Sequence, residues 1–201
     1  SPWLDQIMTE KYGRWARHFY LAYDHQVYNV AEKRAYLAAT PDRKLEIAVY
    51  ARDHTARRCV YLALMALETM GHQRNDFEVH LFGQDRLDFQ EVNFAAVNHG
   101  ILDTEGLAKL YGECDLGITF SGTNYSLVPQ EMMACGLPLV ELDVESTRAI
   151  FPEGVVTFAG PAPIDIATKI SELLDKPKTR AKQAKAALDW VSGFSWRGSA
   201  K

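Results

Sequence analysis

The chain has 201 residues, 47% of them hydrophobic and 24% charged, with a net charge of −4. That is the balance of a soluble globular protein with enough chain to bury a real core, and it carries no basic field for nucleic acid. Cys59, Cys114 and Cys135 are odd in number, far apart and without a Cys-x-x-Cys spacing, so they read as reduced core residues rather than a disulfide framework or a zinc site. No apolar run approaches the ~20 residues that span a bilayer, and no signal peptide opens the chain. Its start, Ser-Pro-Trp-Leu-Asp, reads as a cut inside a longer protein.

Trp3 to Tyr12 reads as a helix, Arg17 to Tyr23 as a strand without a visible partner, and Asp24 to Thr40 as a mixed connector. From Leu45 onward, β-rich runs alternate with amphipathic stretches. Leu45–Tyr50 is the first strand. Ala56–Met70 is a helix that stops at Gly71. Phe77–Phe82 and Val92–Val97 are strands, the second ending at Asn98-His99-Gly100. Thr104–Gly112 is a helix capped by Asp103 or Thr104. Leu116–Phe120 is a strand. Pro129–Cys135 is a helix with Pro in its first turn and Gly136 past its end. Leu137–Leu142 is a strand, Ser146–Ile150 a short helix, and Gly154–Phe158 a last strand. Ile164–Leu174 and Thr179–Val191 are the closing helices. The alternation predicts an α/β fold, a Rossmann-like parallel sheet of about six strands covered on both faces. Ligands bind such sheets beyond the carboxyl ends of their strands, where the loops after Tyr50, Val97, Phe120 and Leu142 converge.

The loop from Ser121 to Pro129 is the strongest functional signal. It is small-residue chain between a strand and a helix, and the amides of Ser126, Leu127 and Val128 are free to face a phosphate. Pro129 has no N–H and ends that row. Thr123, Asn124 and Tyr125 complete the loop. Glu131 follows in the first turns of the helix, placed to accept from ribose hydroxyls. An acid there is also worth about 0.3–1 kcal/mol through the helix dipole alone. Arg52, Arg57 and Arg58 lie between the first strand and its helix and border the same cleft. A guanidinium fork matches phosphate oxygens, although loop arginines are often only solvated. His99 and Gly100 could contact the base or the phosphates, or simply close the backbone. There is no His-Glu-x-x-His, Gly-x-Ser-x-Gly or Gly-Lys-Ser.

Together these pieces resemble the nucleotide-sugar-binding half of family 4 glycosyltransferases of the GT-B fold, over roughly Leu45 to Trp196. That family has a strand ending in Gly-Arg with a basic residue five further on, here Ala51-Arg52 and Arg57. It then has a strand, Ser, a glycine-rich loop, Leu-Val, Glu and a helix ending in Cys-Gly-x-Pro, here Ser121, Leu127-Val128, Glu131, Cys135-Gly136 and Pro138. Leu107 to Asp115 and Phe194-Ser-Trp196 resemble further family markers. The family's first loop glutamate is replaced by Thr123, and its Gly-Phe-Gly by Asn124-Tyr125-Ser126. The short single-Glu loop resembles the rhamnan-synthesis and rhamnosyltransferase branch. The resemblance implies retaining transfer of a sugar, rhamnose or another hexose, from a nucleoside diphosphate sugar to a glycan or lipid-linked acceptor, with no cofactor and no essential metal. It implies Arg52 and Arg57 on the leaving diphosphate, Glu131 on ribose, and loop residues 123–128 with His99 and Gly100 around the nucleotide. Residues 1–40 would be the tail of a preceding acceptor domain plus connector, and 41–201 the donor domain, inactive alone. The whole protein would be cytoplasmic, and a lipid-linked acceptor would bring it to the inner face of a membrane. A degenerate, non-catalytic module and a GT-B-like nucleotide-sugar epimerase are the competing readings.

Overall fold

The computed structural model describes residues 1–31, 43–87 and 92–200. Helix α1 (Pro2–Glu10) opens the chain. Then come β1 (Leu45–Tyr50), a 3-10 turn (Ala56–Arg58), α2 (Val60–Gly71), β2 (Phe77–Phe82), β3 (Ala95–Asn98), α3 (Thr104–Glu113), β4 (Leu116–Ile118) and α4 (Val128–Ala134). The chain closes with β5 (Leu139–Leu142), α5 (Glu145–Arg148), β6 (Thr157–Ala159), α6 (Pro163–Leu174), α7 (Pro177–Val191) and α8 (Trp196–Ser199). The six strands form one sheet in the order β3-β2-β1-β4-β5-β6, every pair parallel.

The pleat sorts the core into two layers, because successive side chains leave a strand on opposite faces. Ile47, Val49, Val79, Leu81, Ile118, Val140 and Leu142 face α2 and α6. Ala48, Phe82 and Leu139 face α3, α4 and α7. Parallel connection brings every strand's carboxyl end to one edge of the sheet, so the β1, β2, β4 and β5 loops share one rim.

Local chemistry sets the helix ends along that rim. The Asp103 carboxylate accepts the Gly106 amide (2.8 Å) at the start of α3. Helix α4 is only seven residues long, and Gly136 stops it at φ +75°, with Gly136 N bonded to Met133 O and Leu137 N to Met132 O. The predicted continuous helix Ala56–Met70 is broken at Cys59, which sits in the left-handed region (φ 50°, ψ 36°) between the 3-10 turn and α2. A non-glycine residue there is uncommon and costs about 1–2 kcal/mol.

Residues 14–24 form no strand, contrary to the expectation for Arg17 to Tyr23. Some of their aromatic side chains pack near the end of α7 instead, while Trp15 and Phe19 stay exposed. Tyr20 stacks on Phe194 (4.7 Å between centroids) and meets Trp190 edge-on. The Leu21 amide donates to the Tyr125 hydroxyl (3.3 Å), and Tyr23 and Tyr28 are buried in the second layer. The predicted connector beyond residue 31 lies outside the described residues. Among the described residues no helix is long and apolar enough to cross a membrane.

Gly117 is pinned in β4. A Cβ there would meet Leu139 Cδ2 at 2.5 Å and Met132 Sδ at 2.7 Å, and both neighbours are fully buried. Gly117→Val is expected to cost about 1–3 kcal/mol in urea unfolding by overpacking. Tyr125→Phe leaves the Leu21 amide without its partner and is expected to cost about 1 kcal/mol, with faster proteolysis of the first 25 or so residues.

Candidate functional site at the carboxyl edge of the sheet

The loop between β4 and α4 is tied to the turn after β1 by one residue. The Arg57 carbonyl accepts the Gly122 amide (2.8 Å), and its Nη1 donates to the Asn124 carbonyl (2.6 Å). Ser121 Oγ donates to the same carbonyl (2.8 Å). Arg57 is thus exposed and committed to the loop backbone. Its neighbour is placed differently. Arg58 is only 5% exposed, and its Nε and Nη1 have no hydrogen-bond partner. Its guanidinium lies over the Tyr50 ring (5.4 Å to the centroid). Burial, then Arg57 close by, lowers its affinity for its proton. Arg52 also bears on Arg58, although its own Nε is engaged by His54 Nε2 (2.9 Å).

The last fully paired row across the centre of the sheet is Val49, Ile118 and Val140. One residue further on, the pleat turns Tyr50, Thr119 and Glu141 to the opposite face, where Thr119 meets Glu141. Glu141 is fully buried and accepts from Thr119 Oγ1, while its Oε2 has no partner. Burial pushes its carboxyl up to about 8, against the pull of Thr119 and Arg58. Glu131 sits in the first turn of α4, half-buried, and burial pushes it up to about 7. The Tyr28 and Tyr111 hydroxyls feel its charge, and the Tyr111 hydroxyl is buried without a partner.

The loop residues divide by direction. Thr123 is exposed at the tip. Asn124 Oδ1 and Ser126 Oγ are buried without partners. The ring of Tyr125 points into the core against Phe151, so only its backbone faces the rim. No hydrogen bond from the amides of Ser126, Leu127 or Val128 occurs among the described residues. A helix of seven residues has a small dipole, so these amides act as individual donors. Gln130 is buried beneath them, with its side-chain nitrogen 2.9 Å from Ser126 O when the amide is turned to donate.

His99 and Gly100 belong to the flank of the rim. The His99 ring stacks on His80, with Nδ1 of His80 2.9 Å from Nε2 of His99. Burial, then His99, lowers the His80 pKa. Gly100 (φ +67°) accepts the Gly83 amide and has no room for a Cβ beside Asp85. That bond ties the turn after β2 to the turn after β3. A separate depression of about 700 Å³ lies between β6, α6 and α7 and is lined by none of these residues. No group of three or more possible metal ligands occurs among the described residues.

Sequence reasoning missed Glu141, and it set Arg58 at the border of the cleft without a role of its own.

This arrangement is a parallel α/β domain with unpaired polar groups gathered near the carboxyl edge of its sheet. The chain belongs to the WsaF C-terminal domain family, whose sequence model matches residues 45–171. Its fold is that of the C-terminal, Rossmann-like half of GT-B glycosyltransferases. It is similar to the O-antigen biosynthesis protein RfbC of Myxococcus xanthus, 34% identical over 107 residues that cover 52% of this chain and 8% of that protein. It superposes on sucrose-phosphate synthase from Thermosynechococcus elongatus with a TM-score of 0.78 at 20% identity, covering all of this chain and 54% of that one. Anabaena Alr3699/HepE, solved with UDP-glucose, superposes with a TM-score of 0.68 at 15% identity, over 88% of this chain and 52% of that one. The chain therefore spans about half the length of these solved structures and a small part of that curated relative.

Glu141 ties stability to pH. Its ordinary value is 4.5 and its folded value about 8. Between those values the folded chain keeps a proton that the unfolded chain has lost, so stability falls as pH rises. Glu141→Gln removes that penalty. Its stability relative to the parent is expected to rise by on the order of 3 kcal/mol between pH 4.5 and pH 8 in urea unfolding. Parallel curves across that range would refute the assignment.

Proposed function

We propose that this chain is the donor-binding half of a glycosyltransferase that transfers a sugar from a nucleoside diphosphate sugar to a glycan or lipid-linked acceptor. The observation that carries this reading is Arg58, a buried guanidinium with two unmatched nitrogens, in the turn that Arg57 ties to a loop with three undonated backbone amides. Buried donors are nearly always paired, so a concentration of unpaired ones marks a place where a ligand completes the set. A diphosphate has the charge and the acceptor oxygens to do so.

In this reading Arg58 and the amides of Ser126, Leu127 and Val128 hold the diphosphate. They stabilise the charge that collects on it as the bond to the sugar breaks. Arg52 adds long-range positive charge, and Arg57 fixes the loop. Glu131 accepts from ribose. Arginine and backbone donors supply this electrostatic role without a metal. The transfer proceeds with retention and the sugar is a hexose, with rhamnose favoured by the short single-Glu loop carrying Thr123. The acceptor and the remaining reactive groups come from a preceding domain, so this chain alone binds nucleotide and turns over little. The whole protein works in the cytoplasm, next to a membrane when its acceptor is lipid-linked.

Titrating the chain with UDP, GDP and dTDP by calorimetry tests the reading. At least one is expected to bind at micromolar to millimolar concentration. Arg58→Met should weaken binding by about 10- to 100-fold, the worth of one or two charge-assisted bonds, with an unchanged circular dichroism spectrum. Glu131→Gln should weaken it by about 3- to 10-fold through loss of ribose contacts alone. Silence from all three diphosphates at millimolar concentration would remove the donor site.

A further inference from the structure

Glu141 is a second buried polar group on this rim, and nothing in the donor-binding scheme uses it. It follows Val140 as Tyr50 and Thr119 follow Val49 and Ile118 in the paired row, it accepts from Thr119, and Arg58 lies over the Tyr50 ring. Arg58 and Glu141 are close enough to act on each other electrostatically, yet they form no ion pair. Each keeps unmatched atoms: Nε and Nη1 on the arginine, Oε2 on the glutamate. Two complementary half-satisfied groups left apart in a protein interior are costly, and contact between them would relieve both. The fold therefore holds an arginine with a choice of two partners, an anion on the rim or the carboxylate beneath it.

We propose that Glu141 is the positioning residue for Arg58 in the donor site: while it carries its proton the guanidinium is left to the diphosphate, and when it loses the proton it competes for the guanidinium. This inference rests on the donor-site reading above. Geometry supports it through the shared row and the unpaired atoms. Burial holds the Glu141 proton to about pH 8, so the binding-competent form is the one populated at neutral pH. The groups that face this pair are few in kind. Arg58 comes from the 3-10 turn, and Cys59 stands behind it with its thiol pushed above 9.0 by burial. Thr119 of the β4 end is neutral and donates to Glu141. Tyr50 of β1 lies under the guanidinium, while Arg52 and Arg57 add positive charge from the same turn. Of these, Glu141 is the group that titrates between pH 7 and pH 9.

The test is nucleoside diphosphate binding against pH, with the same UDP, GDP and dTDP probes, whose terminal phosphate is fully ionised above about pH 7.5. If only the protonated form binds, apparent affinity is scaled by its fraction. Parent affinity is expected to fall about tenfold from pH 7 to pH 9, while Glu141→Gln holds constant within about twofold and binds more tightly than the parent at pH 9. A merely structural glutamate would shift affinity without changing its slope. A second arm needs no ligand: the Glu141 carboxyl is titrated by carbon-13 NMR in the parent and in Arg58→Met. Its midpoint should rise when the cation is removed. Binding that is equally flat with pH in parent and variant, or a carboxyl midpoint indifferent to Arg58, overturns the proposal and leaves the donor site standing. Absence of binding at pH 7 overturns both.

Discussion

Arg57 ties the β4–α4 loop to the turn after β1, and the geometry of the rim follows from that tie. Its carbonyl takes the Gly122 amide and its guanidinium takes the Asn124 carbonyl, so one residue satisfies the loop at two points. A loop of small residues has little core of its own to hold it. Anchored this way, it leaves the amides from 126 to 128 without a hydrogen-bond acceptor among the described residues. The same anchoring commits Arg57 and leaves Arg58, one residue later, to turn inward under the loop. Cys59 then takes a left-handed conformation that returns the chain to the start of α2. Strain of this kind persists only where surrounding contacts over-determine it, as the two Arg57 bonds do here.

Most of the fold was legible in the sequence because its signals are local. Runs such as Ile47-Ala-Val49 and Leu139-Val140 carry the apolar density of strands buried on both faces. Asp103 caps α3 through a contact three residues long, and Gly136 stops α4 through bonds within one turn. Alternation did the rest, since parallel strands with helical crossovers admit few topologies. The segment from Arg17 to Tyr23 failed for the opposite reason. Its β-rich composition reflects aromatic packing against Trp190 and Phe194, which are some 170 residues away. Apolar residues that pack on distant helices look the same in sequence as those that pair in a sheet.

The candidate site was legible in outline but not in the directions of its side chains. Spacing placed arginines and a loop at the same rim, and both are there. It could not tell which of two adjacent arginines turns inward, because that depends on a single left-handed residue between the 3-10 turn and α2. Nor could spacing show that Tyr125 faces the core, that His99 is occupied by His80, or that Glu141 enters the rim from β5. Glu141 sits in a strand whose other positions are apolar. Its meaning appears only when β4 brings Thr119 beside it.

The unmatched atoms of Arg58 and Glu141 carry an energetic consequence for the domain. A buried charge that lacks a partner costs several kcal/mol, and a protein of ordinary stability has only about 5–15 kcal/mol in total. Two routes lower that cost without a ligand. Glu141 keeps its proton, which removes one charge, and Arg58 lies over the Tyr50 ring, which offers its π face to the other. Neither route satisfies the N–H groups of the guanidinium, and under the proposed function a diphosphate would do so. Under the proposed function the Arg57 tie holds the loop, so little of its conformational entropy would remain to be lost on binding.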